Sequence, residues 1–284
     1  STVEHDAIRK SLDELEKRGF EVTRLKPDAS GAIPVQSVVD ALRDDTILVS
    51  LMMVNNETGA VTDISAVSRE LKRAGSQALL HTDAVQGFMK VPFRAKTLGA
   101  DMISISGHKI HAPKGIGALY IRAGLKLKPF IVGGSQESGM RAGTEAMPQI
   151  AAFGAASEIA YAGMKENIAR MSALRERAVS RLERDIPELR VISLADSAPH
   201  ILSISLPGWR SEVLMNFLEA RGVYVSRSSA CKKGGRSHVL EAVGLDAKTI
   251  DGAIRVGLSR LTTEEDIDAL CDALRDAHDT LAHR

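Results

Sequence analysis

Three short apolar runs in this chain of 284 residues each end in side chains able to do chemistry. TILVSLMMV (46–54) is followed by Asn55-Asn56-Glu57-Thr58-Gly59, and ALLHTDA (78–84) contains His81 and Asp83, with Gln86 just beyond. DMISIS (101–106) runs into Gly107-His108-Lys109, then Pro113-Lys114-Gly115. Read as strands of an open parallel sheet, they bring an amide, a carboxylate and a lysine to the rim where such sheets bind ligands. Singly, each residue has a plainer explanation. Asp83 suits a helix cap, Lys109 a solvated surface lysine, His108 a hydrogen-bonded structural histidine, and Asn55 and Asn56 a turn. The combination is what a pyridoxal phosphate site needs: a lysine to form a Schiff base, and a carboxylate to keep the pyridine nitrogen protonated so that the ring acts as an electron sink.

Two glycine-rich segments follow. Gly133 to Glu145 (GGSQESGMRAGTE) can wrap a phosphate with its backbone, with Arg141 and Thr144 as side-chain donors. Composition alone fits a flexible hinge equally well. In the second, Arg227 to Arg236 (RSSACKKGGR), Cys231 stands among four cations, Arg227, Lys232, Lys233 and Arg236. Positive charge stabilises a thiolate, which favours a reactive role over an incidental surface thiol. Cys271 falls with Ile267, Leu270 and Leu274 on the apolar face of the last helix and reads as a small core residue. Two cysteines with no His/Cys spacing argue against a structural zinc and against a disulfide framework, and point to a reducing compartment.

The elements that must position these groups follow from periodicity. The three runs and a fourth, GALYI (117–121), have strand lengths, and helix-like patterns such as Ile64, Val67 and Leu71 fill the first two gaps. Strand–helix–strand alternation predicts parallel strands in an α/β domain. A motif-rich loop joins the third and fourth runs, which suggests an antiparallel strand there. Further on, the spacing predicts one long helix over 154–183, with Ile159, Ile168, Met171, Leu174, Ala178 and Leu182 near one face. Strands are expected at 189–193, 200–206, 223–225 and 253–258, and a last helix opening on a capping box of Thr262 with Glu265. This predicts a large domain over 1–160 and a smaller α+β domain over 161–284 that carries the cysteine segment. Lys plus Arg number 37 and Asp plus Glu 36, and aromatics are 4%, so nothing marks a nucleic-acid binder. No run approaches the roughly 20 apolar residues of a membrane helix.

These residues resemble the cysteine desulfurases, class V aminotransferase relatives within pyridoxal phosphate fold type I. The matching stretches are 54–59 (VNNETG), 81–86 (HTDAVQ), 104–110 (SISGHKI) with 113–120 (PKGIGALY), 139–144 (GMRAGT), 228–231 (SSAC) and 254–260 (IRVGLSR), in the family's order along nearly the whole chain. The resemblance implies that Lys109 carries the cofactor, Asp83 bonds the pyridine nitrogen, Gln86 bonds the phenolic oxygen and His5 stacks on the ring. Ser106 and His108 would bind the phosphate, and Thr144 would reach the phosphate of a partner subunit, so a homodimer is implied. Asn56, beside the cofactor, and Arg255 would hold the substrate carboxylate. Lys109 or His5 would shuttle protons. Cys231 would take sulfur from L-cysteine, leaving L-alanine and a persulfide for an acceptor such as an iron–sulfur scaffold, or for thio-cofactor synthesis, in the cytoplasm.

The chain also departs from the family pattern. Lys232, Lys233 and Gly234 follow the cysteine where small and hydroxyl residues are commoner, and His111-Ala112 stands where an aromatic and a glycine usually precede Pro113. The sequence opens four residues before His5, whereas the family has a substantial region there, including a phosphate-cradling loop at a helix N-terminus. The resemblance therefore predicts a large domain incomplete at its N-terminus. Two further readings stand beside the desulfurase: a selenocysteine lyase or other class V transferase or lyase, and a non-catalytic fragment that binds the cofactor weakly.

Overall fold

The computed structural model describes residues 1–228 and 235–281. The chain begins with α1 (Asp6–Lys17), α2 (Val35–Asp40), β1 (Leu48–Met52), α3 (Ile64–Arg73), β2 (Leu79–Asp83), α4 (Ala95–Leu98), β3 (Met102–Ser106) and β4 (Gly117–Ile121). It continues through α5 (Met147–Ala162), α6 (Met164–Asp185), β5 (Arg190–Val191), β6 (Ile201–Ser205), α7 (Ser211–Glu219) and β7 (Ser226–Arg227). It closes with α8 (His238–Ala242), α9 (Ala247–Asp251), β8 (Ala253–Gly257) and α10 (Glu264–Thr280).

These elements form two compact units: Arg43–Leu51 with Ile64–Met164, and Ser1–Leu42 with Met52–Asp63 and Lys165–Arg284. The division differs from a single cut at 160, because two early segments pack with the C-terminal residues. The bonds responsible are specific. Ser193 Oγ donates to the Thr58 carbonyl at 2.7 Å, Ala198 N to the Gly59 carbonyl at 2.8 Å, and Arg255 Nη1 to the Asn56 carbonyl at 2.6 Å.

In the first unit the sheet order is β1-β2-β3-β4. β2 and β3 are parallel, with Asp83 opposite Ser104, and β4 returns antiparallel from Met102↔Ile121 to Ser106↔Gly117. The antiparallel strand expected from the short, motif-rich connection is therefore present. Asp101 pins the ends of these strands: Oδ2 accepts from Leu80 N at 2.8 Å and Oδ1 from Arg122 Nε at 2.6 Å. Gly99 ends α4 at φ 77°, and a Cβ there would lie 2.3 Å from Ser68 Oγ, so only glycine fits both the left-handed turn and the approach of α3. α5 is apolar in composition, yet none of its residues is buried.

The second unit holds an antiparallel sheet of order β5-β6-β8-β7, covered by α6, α7 and α10. β6 is buried at every residue, and Met171, Leu174, Ala178 and Leu182 of α6 pack in the same core as Leu214, Leu218, Leu270 and Leu274. Such burial of aliphatic side chains contributes roughly 1.5–3 kcal/mol each. Arg181 joins α6 to α10 through Asp268 and Asp272.

Three local expectations change. The long helix is two helices, because Gly163 ends α5 with its N–H on the Ile159 carbonyl; Ile159 is consequently 54% exposed instead of sharing the α6 face. The capping box sits one residue later, as Thr263 with Asp266, because Thr262 Oγ1 is already taken by Ser259 N at 2.9 Å. The strand expected at 223–225 lies at Ser226–Arg227, because the ladder with β8 pairs Ser226 with Arg255 and Arg227 with Ile254. Val223 and Val225 pack against the core as irregular chain.

Leu202, fully buried at the centre of β6, should cost about 2–5 kcal/mol when replaced by Ala, read by chemical denaturation. Tyr224→Ala, at a residue 78% exposed, should stay within about 0.5 kcal/mol of the parent. Burial pushes the Cys271 thiol up to about 11, and the residue is 1% exposed. Alkylation near neutral pH, mapped by peptide mass, should leave Cys271 unmodified until the chain unfolds.

Candidate active site

The parallel pair β2–β3 places one group of candidates at the carboxyl ends of adjacent strands. Asp83 ends β2 and is 8% exposed. Its Oδ1 accepts from Val85 N at 2.9 Å, the cap-like bond expected of a strand-end aspartate, and Oδ2 has no partner among the described residues. Gln86 is buried in the turn that follows. Ser106 ends β3, and its Oγ lies 2.8 Å from His108 Nδ1, so the two residues assigned to a phosphate form a hydrogen-bonded pair. Gly107–Ile110 then makes a single 3₁₀ turn that presents half-buried Lys109. A Cβ on Gly107 would lie 2.9 Å from Ile116 Cγ2 and 3.1 Å from Ala112 Cβ, so the tight turn into Lys109 requires glycine.

The electrostatics of this rim are cationic. Burial pushes the Lys90 ammonium down to about 8, and the charge of Lys109 adds to the shift. His108 is also lowered, first by loss of solvent and then by Lys109, Lys114 and Lys90. His81, buried on β2, lies 2.8 Å from Ser50 Oγ and 2.9 Å from Ser104 Oγ, and burial lowers its pKa against the opposing charge of Asp83. His81 thus ties three strands together. Lys90 was not singled out from the sequence; its signal was one cation within the apolar stretch Gly87-Phe88-Met89-Lys90-Val91. Thr144 is exposed, beyond a glycine-rich loop in which Glu137 and Ser138 adopt left-handed φ of 50° and 57°. Arg141 Nη1 donates to the Ala142 carbonyl at 3.0 Å.

The other unit holds a second group. Asn55 organises the loop after β1: its Oδ1 accepts from Glu57 N at 2.9 Å and Thr58 N at 3.0 Å, and its Nδ2 donates to the Val3 carbonyl at 3.1 Å. This loop holds Asn56 beside Arg255 of β8, whose Nη1 donates to the Asn56 carbonyl at 2.6 Å. The two residues assigned to a substrate carboxylate are therefore brought together. Burial lowers the Arg255 pKa, and the negative charge of Glu57 partly restores it. His5 is exposed and caps α1, its Nδ1 accepting from Ala7 N at 3.1 Å. Buried Glu4 accepts from Met52 N at 2.9 Å. Cys231 lies outside the described residues. Glu57 also escaped the sequence reading, although a lone carboxylate inside an asparagine-rich turn was a usable signal.

The donor set of the rim fits pyridoxal phosphate. A strand-end carboxylate with an unpartnered oxygen suits a protonated pyridine nitrogen, a hydroxyl–imidazole pair suits a phosphate, and a lysine stands on the adjoining turn.

The family model for class-V aminotransferases matches residues 1–270. A cysteine desulfurase of Trichormus variabilis (Cysteine desulfurase 2) is 44% identical over 94% of this chain and 67% of its own length. The cysteine desulfurase IscS of Methanosarcina thermophila is 38% identical over 96% of this chain and 68% of its own. Among solved structures, a NifS-like protein superposes with a TM-score of 0.92 at 35% identity, over 99% of this chain and 74% of the other. SspA in complex with cysteine superposes with a TM-score of 0.75 at 30% identity, over 93% and 73% of the two chains. The chain spans about two thirds of the length of these curated relatives. With sequence, fold and rim in agreement, the chain belongs to the cysteine desulfurases of the class-V aminotransferase family.

Proposed function

We propose that the protein is a pyridoxal phosphate-dependent cysteine desulfurase that takes L-cysteine to L-alanine and receives the sulfur on Cys231. The observation that carries this reading is the rim formed by Asp83, the Ser106–His108 pair and Lys109, in a chain alike to cysteine desulfurases along almost its whole length. When bound, pyridoxal phosphate supplies the electron sink that carbon–sulfur cleavage needs.

The chain's own residues divide the remaining work. Lys109 holds the cofactor, Asp83 faces its ring nitrogen and Gln86 its phenolic oxygen. Ser106 and His108 bind its phosphate, and Thr144 donates to the phosphate of a second subunit. Asn56 and Arg255 orient the substrate through its carboxylate, as their mutual contact supports. Lys109 Nζ and the His5 ring move protons at the substrate. The Cys231 thiolate attacks the substrate sulfur; the carbon–sulfur bond breaks, a sulfur–sulfur bond forms, and a proton replaces sulfur on the departing alanine.

Several finer features belong to the same reading. A homodimer is supported by apolar surface in the unit of Arg43–Leu51 and Ile64–Met164: Phe130 is 93% exposed, Val132 79%, Tyr161 65% and Met147 63%. Cytoplasmic residence suits a catalytic thiol. Among the described residues, no helix is long and apolar enough to cross a membrane. The persulfide goes to an acceptor protein such as an iron–sulfur scaffold.

The test is to load the protein with pyridoxal phosphate, add L-cysteine, and measure alanine and sulfide. Alanine is expected to form, and its absence overturns the reading. Cys231→Ser should drop turnover to below ~1% of the parent while keeping the cofactor's absorbance. Borohydride reduction should fix the cofactor on the Lys109 peptide, and Lys109→Ala should lose that label.

A further inference from the structure

Glu57 carries a charge that the proposed chemistry leaves unused. It is 4% exposed, held in the loop whose neighbouring residue touches Arg255. Its backbone N–H is fastened to Asn55 Oδ1 at 2.9 Å. Its Oε2 accepts from Ser237 Oγ, and that hydroxyl caps α8 by accepting from Leu240 N at 3.1 Å. Ser237 thus holds the carboxylate, and Asn55 the backbone beside it, in the electrostatic field of Arg255 on β8. From α1, Asp6 acts on it with the opposite effect. On α8 the next residue, His238, directs Nε2 to the Glu4 carbonyl at 3.4 Å.

We infer that Glu57 is a positioning residue that makes carboxylate binding at Arg255 proton-coupled: as the ligand's carboxylate arrives, Glu57 takes up a proton. This rests on the assignment of Arg255 to the substrate carboxylate. In the free protein, Arg255 is the cation that stabilises the Glu57 anion. An incoming carboxylate neutralises that cation and adds a like charge nearby, which in a poorly solvated setting disfavours a second anion. Protonation of Glu57 removes the conflict, leaving Arg255 to the ligand. The proton comes from solvent, and no bond to carbon is made or broken.

Burial pushes the Glu57 carboxyl up to about 7; the Ser237 hydrogen bond and Arg255 oppose the rise, and Asp6 adds to it. The group therefore changes charge near neutrality. The sign follows: binding raises its pKa further, so affinity is greatest below about pH 7 and weakens as pH climbs through the window between the free and bound values.

The experiment titrates the pyridoxal phosphate-loaded protein with propionate from about pH 6 to about pH 8.5. Propionate has no amine or thiol to titrate or to react with the cofactor, and its carboxylate is ionised throughout. Ligand-observed NMR gives Kd. The parent's Kd should rise with pH, by up to about tenfold per unit above pH ~7. In Glu57→Gln the curve should be flat, and in Arg255→Gln binding should be lost. Ser237→Ala removes a donor to the anion and should move the rise to higher pH, which keeps the test open if the Gln variant fails to fold. A flat curve in the parent, a rise retained in Glu57→Gln, no propionate binding, or binding that survives Arg255→Gln each overturns the proposal. Cysteine turnover is not the readout, so failure of the desulfurase reading would show separately, as absent alanine.

Discussion

The parallel pairing of β2 with β3 is the constraint on which the rim of Asp83, Ser106, His108 and Lys109 depends. A parallel ladder allows its partners one register at a time, and a slip of one residue would turn every side chain to the opposite face. With Asp83 opposite Ser104, the chain leaves β2 at a carboxylate and leaves β3 two residues later at Ser106. The turn that follows has only to hold His108 against Ser106 and present Lys109. The register is secured away from the rim, by Asp101 gripping Leu80 and Arg122, by the five-pair antiparallel ladder with β4, and by His81 bridging Ser50 and Ser104. The side chains that ensure alignment are thus distinct from those at the rim.

The other unit meets a different constraint, the partial burial of charge. Arg255 sits on β8 between β6 and β7, where its desolvation is costly, and the Asn56 carbonyl and Glu57 offset part of that cost. The asparagine-rich loop can serve because Asn55 satisfies its backbone N–H groups from within and ties it to Val3. The antiparallel sheet that carries this guanidinium is covered by α6, α7 and α10, which gives it a firm support.

Several features were legible in the residues. The four early runs became four strands, GALYI with the same bounds, because apolar runs bounded by polar turn formers carry little ambiguity at that length. The antiparallel return of β4 was signalled by a motif-rich loop where the first two gaps hold helix-like patterns. Other features were obscured by competition between neighbours. Thr262 and Thr263 are equally good caps by type, and a bond from Ser259 decided between them. Gly163 inside an apolar periodic stretch broke a helix that spacing alone would continue. At Asp83 the cap-like reading is the one the structure shows, with Oδ1 accepting from Val85 N.

By itself, the sequence determined the chemical inventory: which strand ends carry a carboxylate, an amide or a lysine, because side-chain type and short-range periodicity are local properties. Tertiary structure decided what each group experiences. It drew residues 1–42 and 52–63 into the unit of the C-terminal sheet through bonds such as Ser193 to Thr58. It also buried Glu57 of an early loop, which raises its pKa, and placed it against Ser237 and in the field of Arg255, which oppose the rise. The Glu57–Ser237 bond joins residues 180 apart along the chain, so no window of sequence contains that environment.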